Sequence, residues 1–279
     1  MPNSRRRFPL FPTALAYQRF FHRLCHSDIS SLARAVGNRL FTGRAELRAE
    51  ALRVTAGQNG LEIGGPSQVF GLKNLLPVYG VAASIDNVNF ASSTAWESGL
   101  RDQGTFIFNA NKPSGRQYLR EATALHDLKD HGYDFLISSH CLEHVANPLA
   151  ALREWRRVIR QKGYLLLLLP DPSRTFDRRR AITTLEHLRE DSARETGEDD
   201  LTHLEEILQL HDLGRDFHAG TFQTFSTRAK LNRENRCLHH HVFDLNLVGA
   251  MLVESGWLPI ACERVRPLHL IALAKNTGG

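Results

Sequence analysis

The spacing of apolar residues changes twice along this chain of 279 residues. From 13 to 24 and from 30 to 52 they recur at helical intervals (Leu15, Phe20 and Leu24; then Leu32, Val36, Leu40 and Leu47), which predicts two helices ahead of the main body. From about residue 58 short apolar runs alternate with helical stretches, the signature of βαβ units around a parallel sheet. Strands are predicted at 60–63, 80–85, 133–139 and 164–169. Asn147-Pro148 opens a helix with an N-cap and a proline at its first position, and Leu149, Leu152, Val158 and Ile159 give that helix an apolar stripe. After Pro170 the chain turns polar over 172–241, with capping-box patterns at Thr183-x-x-Glu186 and Thr202-x-x-Glu205 that predict a mostly helical insertion. Gly256 to Ala274 reads as two strands about the turn-prone Arg264–Pro267, an antiparallel hairpin closing a sheet. The predicted organisation is a helical cap over 1–55, a core over 56–171 and 242–279, and a histidine-rich lid over 172–241.

With 42% apolar and 23% charged residues the chain can bury one sizeable core, or one core plus a lid. No run approaches the roughly 20 apolar residues that span a bilayer, and the longest, Tyr164–Leu169, has the length of a buried strand. Arg5, Arg6 and Arg7 are followed by Pro9, Pro12, Gln18, Arg19, His22 and Arg23, so no signal-peptide core forms and a cytoplasmic protein is expected. Cys25, Cys141, Cys237 and Cys262 lie far apart, which argues against a zinc ribbon, a redox pair or a disulfide framework and predicts buried thiols. The net charge of +5 is concentrated in residues 1–53, which hold ten arginines against three acids. That head suits a phosphate backbone or an anionic surface, or equally the solvated faces of two helices.

Two features carry binding chemistry. Leu61-Glu62-Ile63-Gly64-Gly65-Pro66-Ser67 is an apolar strand running into a glycine turn, where the backbone turns sharply and a ligand can approach the main chain. About 20 residues on, Asp86 ends the next predicted strand with Asn87 beside it, and an acid there can accept hydrogen bonds from both hydroxyls of a ribose. Alone, Asp86 reads equally well as a surface turn residue.

A longer run follows: Tyr133-Asp134, Ser138-Ser139-His140, Leu142-Glu143-His144, Asn147-Pro148, Arg157-Val158-Ile159-Arg160-Gln161-Lys162-Gly163 and Pro170-Asp171. In residue type and order it closely resembles class I S-adenosylmethionine-dependent methyltransferases of the type 11 kind, over residues 58 to 171. The resemblance implies a Rossmann-like, seven-stranded, mostly parallel α/β sheet with S-adenosylmethionine as cofactor. Glu62-x-Gly64-Gly65 looks like that family's cofactor loop, Asp86 like its ribose-binding acid, and Glu121-Ala122 like the pair beside the adenine. Ser139 and His140 would lie beneath the sulfonium. Pro66 and Ser67 replace later glycines of the loop, so the methionine end of the cofactor is expected to be held differently.

His140, Glu143 and His144 stand at i, i+3 and i+4, so a helical first turn would present all three on one face. The block is similar to one that ligates Mg²⁺ in small-RNA 2′-O-methyltransferases, where a metal would lower the pKa of an acceptor hydroxyl. The alternative is a capping Glu beside an ordered His. Cys237-Leu238-His239-His240-His241 ends the insertion, which holds seven of the 14 histidines. A histidine is suited to deprotonate a hydroxyl near neutral pH, so His144, His240 and His241 are the candidate bases. The insertion has 11 basic against 13 acidic residues, which favours a neutral polar acceptor over a nucleic acid. The expected activity is O-methylation of a saccharide or glycoside hydroxyl; RNA 2′-O-methylation and a catalytically silent scaffold are the alternatives.

Overall fold

The computed structural model describes residues 44–94, 98–216 and 218–278. Eight strands make one sheet: β1 (Asn59–Ile63), β2 (Ser84–Asn89), β3 (Gly104–Phe106), β4 (Gly115–Leu119), β5 (Tyr133–Ser139), β6 (Ile159–Pro170), β7 (Trp257–Val265) and β8 (His269–Asn276). Their spatial order is β3-β4-β2-β1-β5-β6-β8-β7. Strands β4, β2, β1, β5 and β6 run parallel, β8 inserts antiparallel between β6 and β7, and β3 is a short antiparallel edge. The seven expected strands are thus present with one edge strand added.

Parallel strands covered on both faces should be apolar throughout, and the Tyr164–Leu169 run shows why. Leu165, Leu167 and Leu169 face one buried cluster, built with helix α3 (Pro148–Val158) and helix α8 (Leu245–Glu254). Leu166 and Leu168 face the other, built with helix α1 (Arg44–Thr55) and with Phe70 and Tyr79, the latter in the short helical turn α2 (Val78–Val81). Helix α3 begins as expected: Asn147 Oδ1 accepts from Ala150 N at 3.0 Å, with Pro148 in its first turn. Of the two predicted N-terminal helices, the one at 13–24 lies outside the described residues. The second is described from Arg44 as α1, whose Leu47, Ala51 and Val54 pack beneath the sheet.

One strand is displaced from its predicted position. Of the run at 80–85, only Gly80 and Val81 belong to the end of α2, and β2 occupies 84–89. Its Asn87 and Asn89 are buried but satisfied by internal hydrogen bonds, so a strand ending that reads as polar belongs to the interior.

The insertion contains α4 (Leu185–Ala193), α5 (Leu204–Leu210), α6 (Phe222–Ala229) and α7 (Asn232–Asn235). Ile207, Ala219, Phe225, Ala229 and Leu238 give it a small core of its own. Both capping boxes are shifted. Thr184, not Thr183, caps α4 by accepting from His187 N, while Thr183 Oγ1 accepts from Val242 N at 3.0 Å and joins the insertion to the core. Thr202 donates to Asp200 Oδ2, and α5 starts at Leu204. Cys141, Cys237 and Cys262 are free thiols, Cys262 fully buried and the others partly so; Cys25 lies outside the described residues. No helix among the described residues is long and apolar enough to cross a membrane.

Trp155 couples this core to the ligand end of the sheet: it is fully buried in α3 and its Nε1 donates to Ala122 O at 2.9 Å. Trp155→Ala leaves a large cavity and orphans that carbonyl, so urea unfolding is expected to show a loss of about 3–5 kcal/mol.

Candidate active site

A cleft of about 280 Å³ opens at the carboxyl ends of β1, β2, β4 and β5. This is where strand order reverses, β2 lying on one side of β1 and β5 on the other, the position at which open α/β sheets bind ligands. Each strand delivers a short segment to it. Gly64, Pro66 and Ser67 follow β1; Asn89 and Phe90 end β2; Glu121 and Ala122 follow β4; Ser139 and His140 follow β5.

The turn after β1 is held from behind. Gly64 has φ +83°, and a Cβ there would lie 3.0 Å from Cys141. A Cβ on Gly65 would sit 2.3 Å from the carboxyl carbon of Glu62. Asn87 grips the same residue at both main-chain groups: its Oδ1 accepts from Gly65 N and its Nδ2 donates to Gly65 O, each at 3.0 Å. Glu62 Oε1 accepts from Ser67 N at 3.0 Å, and Oε2 accepts from the Tyr79 hydroxyl at 2.7 Å. Glu62 is wholly buried, and that burial raises its pKa to about 7 against the opposing pull of Ser67 and Tyr79. Glu62 and Asn87 therefore do not line the cleft, as cofactor contacts would; they shape the turn that does.

Asp86 does not reach the cleft either. It lies mid-strand opposite Leu61, with Oδ1 accepting from Arg116 N at 2.7 Å and Oδ2 from the Tyr133 hydroxyl at 2.8 Å. Because β2 runs four residues further than its apolar pattern indicated, Asn89 occupies the strand end where an acid was expected. Glu121 and Ala122 do line the cleft, as do Pro66, Ser139 and His140.

On the β5 side the helical alignment of His140, Glu143 and His144 does not form. His140 has φ +52° and turns its Nε2 to His269 Nδ1 at 2.9 Å, and only Leu142–His144 makes a short 3-10 turn. Burial, then the neighbouring His269, lowers the His140 pKa to about 3. His140 Nδ1 stays 3.7 Å from Glu143 Oε1, and the ring that meets both Glu143 and His144 is His239. Glu143 is wholly buried and its carboxylate accepts no hydrogen bond, a setting that raises its pKa to about 7. One buried carboxylate among imidazoles does not fit Mg²⁺, which requires octahedral oxygen ligands and keeps several waters.

The three candidate bases separate clearly. His144 lines the cleft, and its Nδ1 donates to Leu238 O at 3.0 Å, which leaves the lone pair on Nε2. Burial keeps its pKa well below the usual histidine range, so the ring is neutral. His240 and His241 are almost fully buried and are not among the residues lining the cleft. His240 Nε2 accepts from Asn232 Nδ2 at 3.0 Å, and His241 Nε2 stands 3.1 Å from Ala146 O. A base must reach its proton, and these two rings are engaged behind the wall.

The insertion adds lining residues that no local pattern marks. Arg236 pairs with Glu121, lies 3.3 Å from Glu198 Oε2, and stacks over the Phe90 ring at 5.0 Å. Arg236 and Glu198 both belong to the cleft wall. Asn89 and Phe90 were hidden by the misplaced end of β2.

Residues 68–167 match the family of methyltransferase domains. No curated protein matches the sequence. Solved structures similar to the chain include a putative S-adenosylmethionine-dependent methyltransferase from Listeria monocytogenes, at 13% identity and TM-score 0.47 over 84% of this chain and 98% of that one. Another is an S-adenosylmethionine-dependent methyltransferase from Aquifex aeolicus, at 14% identity and TM-score 0.45 over 90% and 99% of the two chains. A third, from Thermotoga maritima and described as a possible histamine N-methyltransferase, has 14% identity and TM-score 0.40 over 82% and 89%.

Two outcomes follow from the turn. Gly65→Ala forces a methyl against the fixed Glu62 carboxylate and is expected to weaken S-adenosylhomocysteine binding at least tenfold by calorimetry, whereas Asp86→Asn should leave that affinity unchanged. Because the folded-state pKa of Glu62, about 7, lies above its ordinary 4.5, the folded chain keeps a proton that the unfolded chain releases. Its contribution to stability then falls as pH rises through that window. Urea midpoints at several pH values should show a shallower decline in Glu62→Gln than in the parent.

Proposed function

We propose that this chain is a class I S-adenosylmethionine-dependent methyltransferase that transfers methyl to a hydroxyl oxygen of a neutral polar acceptor of the saccharide or glycoside class, with His144 as general base. The observation that carries the reading is the His144 ring at the cleft, pinned through Nδ1 so that Nε2 bears the lone pair.

The residues present fit the cofactor. The turn leaves no room for a Cβ at Gly65, exposes main chain at Gly64–Ser67, and stands across the cleft from Glu121 and Ala122. When bound, S-adenosylmethionine supplies an electrophilic methyl group. Ser67 and Asn89 are positioned to hold its polar groups, and Phe90 and Val145 to cover its apolar faces. An alcohol is a poor nucleophile near neutral pH, so a neutral imidazole at the cleft accepts its proton as the new bond forms. A buried ring of depressed pKa is a weak base, and most of the acceleration is therefore expected from holding the acceptor in line.

A neutral, hydroxyl-rich acceptor suits the rest of the wall. Glu198 Oε2 is buried without a hydrogen-bond partner, and Glu121 and Arg236 add one acceptor and one donor group. Carboxylates in this position disfavour a polyanion, in keeping with the slight acidic excess of the insertion.

The test is an acceptor panel of sugars and glycosides read by S-adenosylhomocysteine release, with the modified atom located by mass spectrometry and NMR. O-methylated product is expected, and His144→Ala should lower kcat by about 10²–10⁴ with cofactor affinity retained. Methyl on nitrogen or carbon, or full turnover in His144→Ala, would refute the proposal.

A further inference from the structure

Outside the cleft, three histidines from separate parts of the insertion meet at one point, with an aspartate beside them. His187 and Asp191 stand one turn apart on α4, so both project from the same helix face. His203 sits at the start of α5, and His241 lies in the extended segment before α8. His187, His203 and His241 each offer one ring nitrogen, and the three atoms lie within 4.8 Å of one another.

The finer distances have the form of a coordination shell. His187 Nε2 is 3.0 Å from His203 Nε2 and 3.3 Å from Asp191 Oδ2; His241 donates from Nε2 to Ala146 O at 3.1 Å, which leaves the lone pair on its buried Nδ1, a nitrogen with no hydrogen-bond partner. A zinc ion with bonds of about 2.0–2.1 Å to four tetrahedral ligands separates those ligands by roughly 3.3 Å. Asp191 Oδ2 is buried and accepts no hydrogen bond, although it faces two imidazoles. A hydrogen-bonded cluster that placed three rings here would be expected to satisfy the one carboxylate oxygen they surround.

The surroundings orient these groups. Thr196 Oγ1 donates to Asp191 Oδ1 at 3.2 Å, which leaves Oδ2 pointing inward. His203 presents its Nδ1 to Glu206 Oε2 at 3.7 Å, the carboxylate–imidazole relation that commonly supports a metal-bound histidine. The side chains of His187 and His203 keep 33% and 17% exposure, so an ion has a way in.

We infer that His187, His203 and His241 form a structural site for a zinc ion, with the Asp191 carboxylate beside it. The three ligands lie outside the cleft, so the ion holds structure and does not meet substrate. It would tie α4 and α5 to the strand-like segment carrying His239–His241. That segment hydrogen-bonds to the cleft wall through His240 N to Glu143 O at 2.8 Å, and so the ion would brace the wall from behind.

The full-length protein, stripped with a chelator and reloaded with zinc alone, is expected to retain one equivalent by plasma mass spectrometry. Cobalt(II) in place of zinc should give the intense visible absorption of a tetrahedral ion, and zinc-edge X-ray absorption should report nitrogen and oxygen ligands only. His203→Ala and His187→Gln should lose the bound ion, while Glu143→Gln keeps it. Failure of the intact protein to retain zinc overturns the inference, as does retention in both histidine variants. Loss in Glu143→Gln alone would assign the ion to the Glu143, His144 and His239 cluster and equally overturn it. The spectroscopy uses the unaltered chain, so a variant that fails to fold leaves the inference open to refutation.

Discussion

A buried carboxylate and a buried carboxamide hold the turn on which the ligand end of this protein depends. Glu62 takes the Ser67 amide and Asn87 takes both main-chain groups of Gly65. Neither side chain is exposed, and the desolvation of each is offset by these hydrogen bonds together with those to Tyr79, Asn89 and Gln117. The turn in consequence presents main chain to the cleft in one conformation, and the glycines are required because the groups that brace it occupy the space of a Cβ. A site organised in this way is rigid before any ligand arrives, which is what in-line group transfer needs.

The other half of the cleft comes from the insertion. Arg236 and Glu198 reach over the sheet to Glu121 and Phe90, and the insertion is joined to the core at Thr183 and His240. The same segment carries three consecutive histidines whose neighbours differ: His239 pairs with Asp177 at 2.6 Å, His240 with Asn232, and His241 with the α4–α5 cluster. Histidine is used here for its two distinct ring nitrogens, which let one residue bridge two elements. The cleft is thus divided between a fixed sheet that offers the β1 turn and a polar insertion that adds Arg236 and Glu198 to its wall.

Much of this was legible in the sequence, and the failures have physical causes. Strand β5 was read at its observed limits and the Asn147-Pro148 helix start was correct, because burial on both faces and cap chemistry leave unambiguous marks. Strand β2 was misread because its last residues are asparagines whose polarity is satisfied inside the protein, and the error displaced the strand end from Asn89 to Asp86. The i, i+3, i+4 spacing at His140 suggested a helical face; a left-handed backbone at His140 breaks that helix, while His140 Nδ1 stays 3.7 Å from Glu143 Oε1. Glu121, Ala122, Ser139 and His140 reach the cleft as the family resemblance implied, whereas Arg236 and Glu198 depend on tertiary placement and have no local signature.

The most direct test of the account is a crystal structure of the protein with S-adenosylhomocysteine. The account predicts the ligand along Gly64–Ser67, its ribose within hydrogen-bond reach of Asn89, and its sulfur directed toward the side of the cleft that His144 lines. A ribose bound to Asp86, or a ligand lodged away from the β1 turn, would contradict it.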